Sequence, residues 1–247
     1  MSRNPHQRSL RSLRAHPLWS QHGLSAAQLH AAVHAHDDDE DDDPRGPVPL
    51  VVDKRGKSEE LVDIYSRLLR DRVVFMGGAV TGRLADVVCA QILFLSNEDA
   101  KAEISLYVNS PGGSITAGLA IIDTMRFVKC PVATYIVGQA ASMASLIACC
   151  GTKGRRMALR HAENLMHQGR IGGFEGQATD LEVFTRQMVR VEDMCNRLYA
   201  DATGKSEAQI AQDCDRDLWL TSDEMLEYGL IDRIIDRMPE PAGKDNA

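Results

Sequence analysis

The chain carries eight histidines, six of them within its first 36 residues. Only His161 and His167 remain to act as a general base elsewhere. A serine that such a base could serve is Ser142, in GQAASMAS at 138–145, directly after the apolar run PVATYIV. Pro131 to Val137 alternates β-branched and aromatic side chains like a buried strand, and Met143 to Cys150 is apolar and free of glycine and proline. Ser142 therefore sits at a predicted strand-to-helix turn, where two readings stand side by side. Serine is a preferred helix N-cap, because its oxygen accepts a bond from an unpaired first-turn N–H. The same turn would also aim the hydroxyl at a helix N-terminus, whose free N–H groups and positive dipole end can hold an oxyanion. The second reading needs a base, a carboxylate to orient it and another oxyanion donor.

His167 follows Asn164 to Met166 at a strand end and precedes the Gly-rich GRIGGFEG, whereas His161 lies in the polar connector RHAEN. Acids are too numerous for spacing alone to choose the orienting one. NSPGG, residues 109–113, offers the second donor: Gly112 and Gly113 leave N–H groups open to close approach just before a helix. The alternative is a turn that merely joins strand to helix. Ser110 and Ser114 are rival nucleophiles, but Ser114 reads as the start of the helix and Ser110 precedes a proline.

The elements that must position these groups alternate in type. Arg72 to Phe75 reads as a strand, Leu84 to Leu95 as a helix, Ile104 to Val108 as a strand and Ile115 to Val128 as a helix. Repeated strand–helix units imply an α/β fold with parallel strands and right-handed crossovers, which gathers reactive groups at the carboxyl ends of the strands. After His167 a helix of about 26 residues, near 39 Å long, is expected, with Leu181, Phe184, Met188, Val191, Met194 and Leu198 on one stripe. Gly204 ends it. Part of that stripe is expected either to cover the sheet or to face another subunit. Ser206 to Gln209 resembles a capping box, Ser222 and Gly229 bracket a further helix, and LIDRII closes the fold as a strand.

Composition narrows the classes. A chain of 247 residues with 44% hydrophobic content suits one compact domain. The net charge is −7, which the run Asp37 to Asp43 alone accounts for, so no basic face suggests nucleic acid. Six cysteines form no C-x-x-C pair, consistent with a reducing compartment, and the scattered histidines of the first segment lack metal-site spacing. No apolar run approaches the roughly 18 residues of a membrane span. The expected location is the cytoplasm, or an organelle matrix if the Arg-rich, acid-poor start is a transit peptide. Residues 1–47 read as a disordered extension or pro-segment, 48–240 as the folded domain and 241–247 as a short tail.

DIYSRLLRDRVVF, LYVNSPGGSITAGLAIIDTM, GQAASM, MHQ, GQATDLE, DRD and EYGLID, in this order and spacing, resemble ClpP, the proteolytic subunit of the ATP-dependent Clp protease. The resemblance spans about Pro49 to Arg237. It implies a crotonase-like stack of ββα units with a protruding handle helix. It implies Ser142 as nucleophile, His167 as base and Asp217 as orienting acid, with the N–H groups of Gly113 and Met143 as oxyanion hole. Two stacked heptameric rings are also implied, touching through Gln177, Asp180, Asp215 and Arg216. A ring ATPase of the ClpX, ClpA or ClpC type would dock on Leu93, Tyr107 and Phe127 and feed unfolded proteins into the chamber. The chain has no G-x-x-x-x-G-K-[ST], so ATP is expected to be used by that partner and no cofactor or metal by this chain. Two departures stand out: Gly169-Arg170 replaces a usual proline after His167-Gln168, and Ser105 replaces a usual aromatic at the docking surface. A non-catalytic subunit of a mixed ring and, more remotely, a crotonase-type acyl-CoA enzyme are the competing readings.

Overall fold

The computed structural model describes residues 48–55, 58–169 and 177–237. The expectations for residues 1–47, for Arg170 and for the C-terminal tail lie outside the described residues. The chain forms two compact units, one ending at Arg67 and one beginning at Leu68. In the first, β1 (Leu50–Arg55) and β2 (Ser58–Asp63) make an antiparallel hairpin that the sequence reading did not anticipate. Arg67 pairs there with Asp53 at 3.1 Å. Helix α1 (Ile64–Arg70) follows β2.

The second unit is a seven-stranded sheet. Its strands are β3 (Val73–Gly77), β4 (Ile104–Ser110), β5 (Val132–Ala141), β6 (Arg156–Leu159), β7 (Glu163–Met166), β8 (Leu218–Thr221) and β9 (Arg233–Ile235). The order β3-β4-β5-β6-β9 is parallel throughout, as the alternation of strands and helices predicts. Between them run α2 (Gly82–Glu98), α3 (Ile115–Phe127) and α4 (Met143–Cys149). Ala85, Val88, Ile92 and Leu95 of α2 recur every three or four residues and are buried, the mark of a helix laid on a sheet. In β4 the period is two: Ile104, Leu106 and Val108 are fully buried. The alternate residues form a ladder on the other face. Phe75, Tyr107 and Tyr135 are register partners on β3, β4 and β5, stacked with centroids 5.1 and 4.7 Å apart.

Strand β5 serves two partners. Thr134 to Ile136 pairs with β6, and Gln139 to Ala141 pairs with β7. Gly138, at φ +80°, lies between the two halves, and the register with β4 shifts there. Strand β8 pairs antiparallel with β7, so one strand departs from the expected parallel pattern.

Helix α5 (Ala178–Thr203) has the expected 26 residues and ends in a left-handed Gly204. Its predicted stripe needs one correction. Val191 and Leu198 are buried, but Leu181 and Met194 are exposed, and Cys195 takes the place assigned to Met194. At about 100° per residue Cys195 falls nearer than Met194 to the middle of the face that Met188, Val191 and Leu198 define, which leaves Met194 at its edge. Helices α6 (Glu207–Asp213) and α7 (Ser222–Tyr228) also shift the predicted caps. The Ser206 hydroxyl accepts from the Gln209 N–H, but the Gln209 side chain turns to Asp213, leaving the box half formed. The complete capping box belongs to Thr221 and Glu224, while the Ser222 hydroxyl donates to the Arg160 carbonyl.

Arg156, 4% exposed at the start of β6, joins four elements. Its guanidinium donates to both oxygens of Asp232 (2.7 and 3.0 Å) and to the Cys149 and Ala202 carbonyls near the ends of α4 and α5. Burial alone would raise the Asp232 carboxyl, yet the bonds from Arg156 hold it below the usual aspartate value. Arg156→Ala should lower unfolding free energy by about 3–5 kcal/mol at pH 7, since it strands a carboxylate. The lowered folded value means that the stabilisation is present above the unfolded aspartate value and lost as pH falls through the folded one. The deficit, read from urea midpoints, should therefore shrink below about pH 4. A deficit unchanged down to the acid limit would refute the assignment.

Candidate active site

The turn between β5 and α4 is strained at one residue. Ser142 has φ 56° and ψ −123°, a backbone conformation unfavourable for any residue with a Cβ. Its side chain makes no cap bond, so the capping alternative fails. The Ser142 N–H donates to the Leu165 carbonyl of β7 at 2.8 Å, and its own carbonyl accepts from Leu146 of α4. Asn164, fully buried, braces the turn from below: in the orientation its neighbours require, its amide donates to the Ala140 carbonyl (3.0 Å) and bonds Ser145. The Tyr199 hydroxyl lies 3.5 Å from the Ser142 carbonyl, and burial keeps that phenol protonated.

NSPGG is pressed against this turn. A Cβ on Gly112 would stand 2.6 Å from the Ala141 carbonyl oxygen and 2.7 Å from the Ser142 Cβ. On Gly113 it would stand 2.5 Å from the Val80 oxygen. Val80 and the loop bind each other: the Val80 N–H donates to Gly112 (2.8 Å), and the Ser114 N–H donates to Val80 (2.7 Å). The two rival serines are occupied. Ser110 is buried, with its hydroxyl accepting from the Gly112 N–H, and Ser114 caps α3. Neither the Gly113 N–H nor the Met143 N–H has an acceptor among the described residues, and both belong to segments that meet at Ser142.

His167 follows β7, as Ser142 follows β5, its parallel neighbour. Both line one pocket with Ile115, Leu146, Met188 and Val191. His167 Nδ1 lies 2.6 Å from the Gln168 carbonyl. Because a carbonyl can only accept, that bond puts a proton on Nδ1, and in the neutral ring it is then Nε2 that carries the lone pair a base needs. Asp217 directly precedes β8. Met166 pairs with Leu218, so the register carried one residue further sets His167 opposite Asp217. The ladder is distorted there: Gln168 donates from its N–H to the Cys214 carbonyl (2.8 Å) and from its side chain to the Asp215 carbonyl (3.1 Å). Cys195 and Cys214 line the same pocket, and burial pushes both thiols up to about 11, which disfavours the nucleophilic thiolate.

The match to known proteins fits this geometry. Residues 56–238 match the sequence model of a family described as Clp protease. The chain belongs to the Clp protease family. Its sheet and helices are accordingly those of a Clp protease fold, and peptide-bond hydrolysis is the family's chemistry. The other positions assigned by resemblance fall as follows on this Clp protease. Gln177 precedes α5 and Asp180 lies in its first turn, both exposed. Arg216 is 92% exposed and lies 3.5 Å from Asp215. Leu93 and Phe127 are exposed on α2 and α3, and Tyr107 is the middle ring of the aromatic ladder. Among the described residues no helix is long and apolar enough to cross a membrane.

Sequence reasoning missed Val80, Asn164 and Gly118, which touch the site through the fold alone. Gly118 of α3 makes room for Met143, whose Cγ would stand 2.3 Å from an added Cβ. One signal was available: Asn164 shares the buried face of β7 with Met166, a polar residue where the period of two calls for an apolar one.

Proposed function

We propose that the chain is the serine endopeptidase subunit of a ring-shaped protease chamber that cuts unfolded proteins into small peptides. The observation that carries the reading is Ser142 itself: a strained strand-to-helix serine with no capping bond, sharing a pocket with His167. His167 Nε2 removes the hydroxyl proton as Oγ attacks the peptide carbonyl. The oxyanion is received by the Gly113 and Met143 N–H groups, and the proton is then given to the leaving amine. Water hydrolyses the resulting acyl ester by the same route. In this reading Asp217 orients the imidazole, with Nδ1 exchanging the Gln168 carbonyl for the carboxylate. Two stacked heptameric rings enclose the sites, and a Clp-type ring ATPase docked on Leu93, Tyr107 and Phe127 consumes the ATP and feeds the chamber. Reaction with a fluorophosphonate probe followed by peptide mapping tests this directly. Label on Ser142 is expected; label elsewhere would sink the assignment.

The exposed pair Arg216 and Asp215 gives the assembly a test. On an isolated subunit an exposed ion pair contributes little. Buried between rings against Gln177 and Asp180, a guanidinium bridging carboxylates contributes far more. Arg216→Ala should shift double rings toward single rings in sedimentation velocity and lower hydrolysis of a fluorogenic peptide in parallel, because the segment carrying Asp217 loses its anchor. Intact double rings with full activity would disconnect assembly from chemistry.

A further inference from the structure

The pocket shared by Ser142 and His167 is apolar on most sides, with Met143, Leu146, Met188 and Val191 in its wall. One carboxylate interrupts it. Glu192 of α5 is half-buried and has no hydrogen bond or ion pair among the described residues. Glu192, Cys195 and Cys214 line the same pocket, and the carboxylate adds to the rise of both thiols, behind burial and behind Cys150 for the one and Asp213 for the other. A half-buried carboxylate without a partner is unfavourable, and a cation brought by substrate removes the penalty. Lysine suits such a site, with a methylene stem for apolar walls and a compact ammonium for the carboxylate.

We propose that this pocket receives the side chain of the residue whose carbonyl Ser142 attacks, and that Glu192 makes lysine a preferred residue there. The proposal rests on the serine-peptidase reading above. Glu192 is thus a specificity-determining residue: it binds the ammonium while Met188 and Val191 hold the stem. The reacting carbonyl lies at Ser142, so the contact selects which bond is cut without entering the chemistry.

Two fluorogenic tripeptides test it, identical except for lysine or its uncharged analogue norleucine next to the fluorophore. The full chain, Glu192→Gln and Asp193→Asn are assayed, Asp193 being the exposed neighbour outside the pocket. The lysine-to-norleucine ratio of kcat/KM should exceed one in the parent and fall at least about tenfold in Glu192→Gln, the lower end for a charge-assisted hydrogen bond. Asp193→Asn should keep the parent ratio. A parent ratio below one, or the same ratio in the parent and Glu192→Gln, overturns the proposal. Fluorophosphonate labelling of the same samples separates the two readings: with Ser142 labelled, an unchanged ratio removes only the pocket assignment, whereas an unlabelled parent removes both.

Discussion

Ser142→Ala is expected to reduce peptide hydrolysis by on the order of 10⁶-fold while leaving the fold and the rings as they are. If Ser142, His167 and Asp217 act as the proposed triad, the size of the loss follows from its unit character, in which removing the nucleophile alone removes almost all of the rate advantage. Preservation of the fold follows from the geometry. The Ser142 backbone holds its place through bonds of its N–H to Leu165 and of its carbonyl to Leu146, and its hydroxyl caps nothing. Alanine keeps the Cβ, so it carries the same strain at φ 56° and neither relieves nor adds to it. A fluorogenic peptide assay with sedimentation velocity on one sample checks both halves. Residual activity above about one part in a hundred would show that another group attacks the peptide bond. Loss of the rings would show that the hydroxyl has a structural duty.

The parallel body was legible because each unit declares itself locally. Ile104 to Val108 alternates with period two, and α2 and α3 repeat at three and four. Strand β6 was not read, since RMAL is short and starts with an arginine whose buried charge is balanced by Asp232, 76 residues away. Strand β8 was missed for a related reason: LWLT becomes a strand by pairing with β7, and no local signal says that the pair is antiparallel. The same division holds at the site. The types and order of Ser142, His167 and Asp217 could be read, and the family resemblance gave them roles. What could not be read was the support: Val80 clamping the glycine loop, Asn164 under the turn, and Gln168 holding the segment of Asp215 against His167. Those contacts join residues about 20 to 50 positions apart and carry no periodic mark.

Gly112→Ala should be the second most damaging substitution, and comparison with Gly154→Ala shows why. Both glycines have positive φ, +89° and +81°, so an added Cβ strains each backbone by about 1–2 kcal/mol. At Gly154 nothing lies within 4 Å of that Cβ, and the strain is the whole effect. At Gly112 the Cβ would meet the Ala141 oxygen, the Ser142 Cβ and the Met143 N, at 2.6, 2.7 and 3.0 Å. Backbone atoms cannot rotate aside as a side-chain end can, so the glycine loop and the serine turn must separate. Separation moves the Gly113 N–H away from the Met143 N–H, and an oxyanion hole with one donor misplaced loses about 10²–10³ in rate. Gly112→Ala is therefore expected to slow fluorophosphonate labelling of Ser142 by at least about a hundredfold. Gly154→Ala should label at the parent rate while unfolding at lower urea. If both variants label alike, the two segments do not form a shared oxyanion site, and the Gly113 N–H has no part in the reaction.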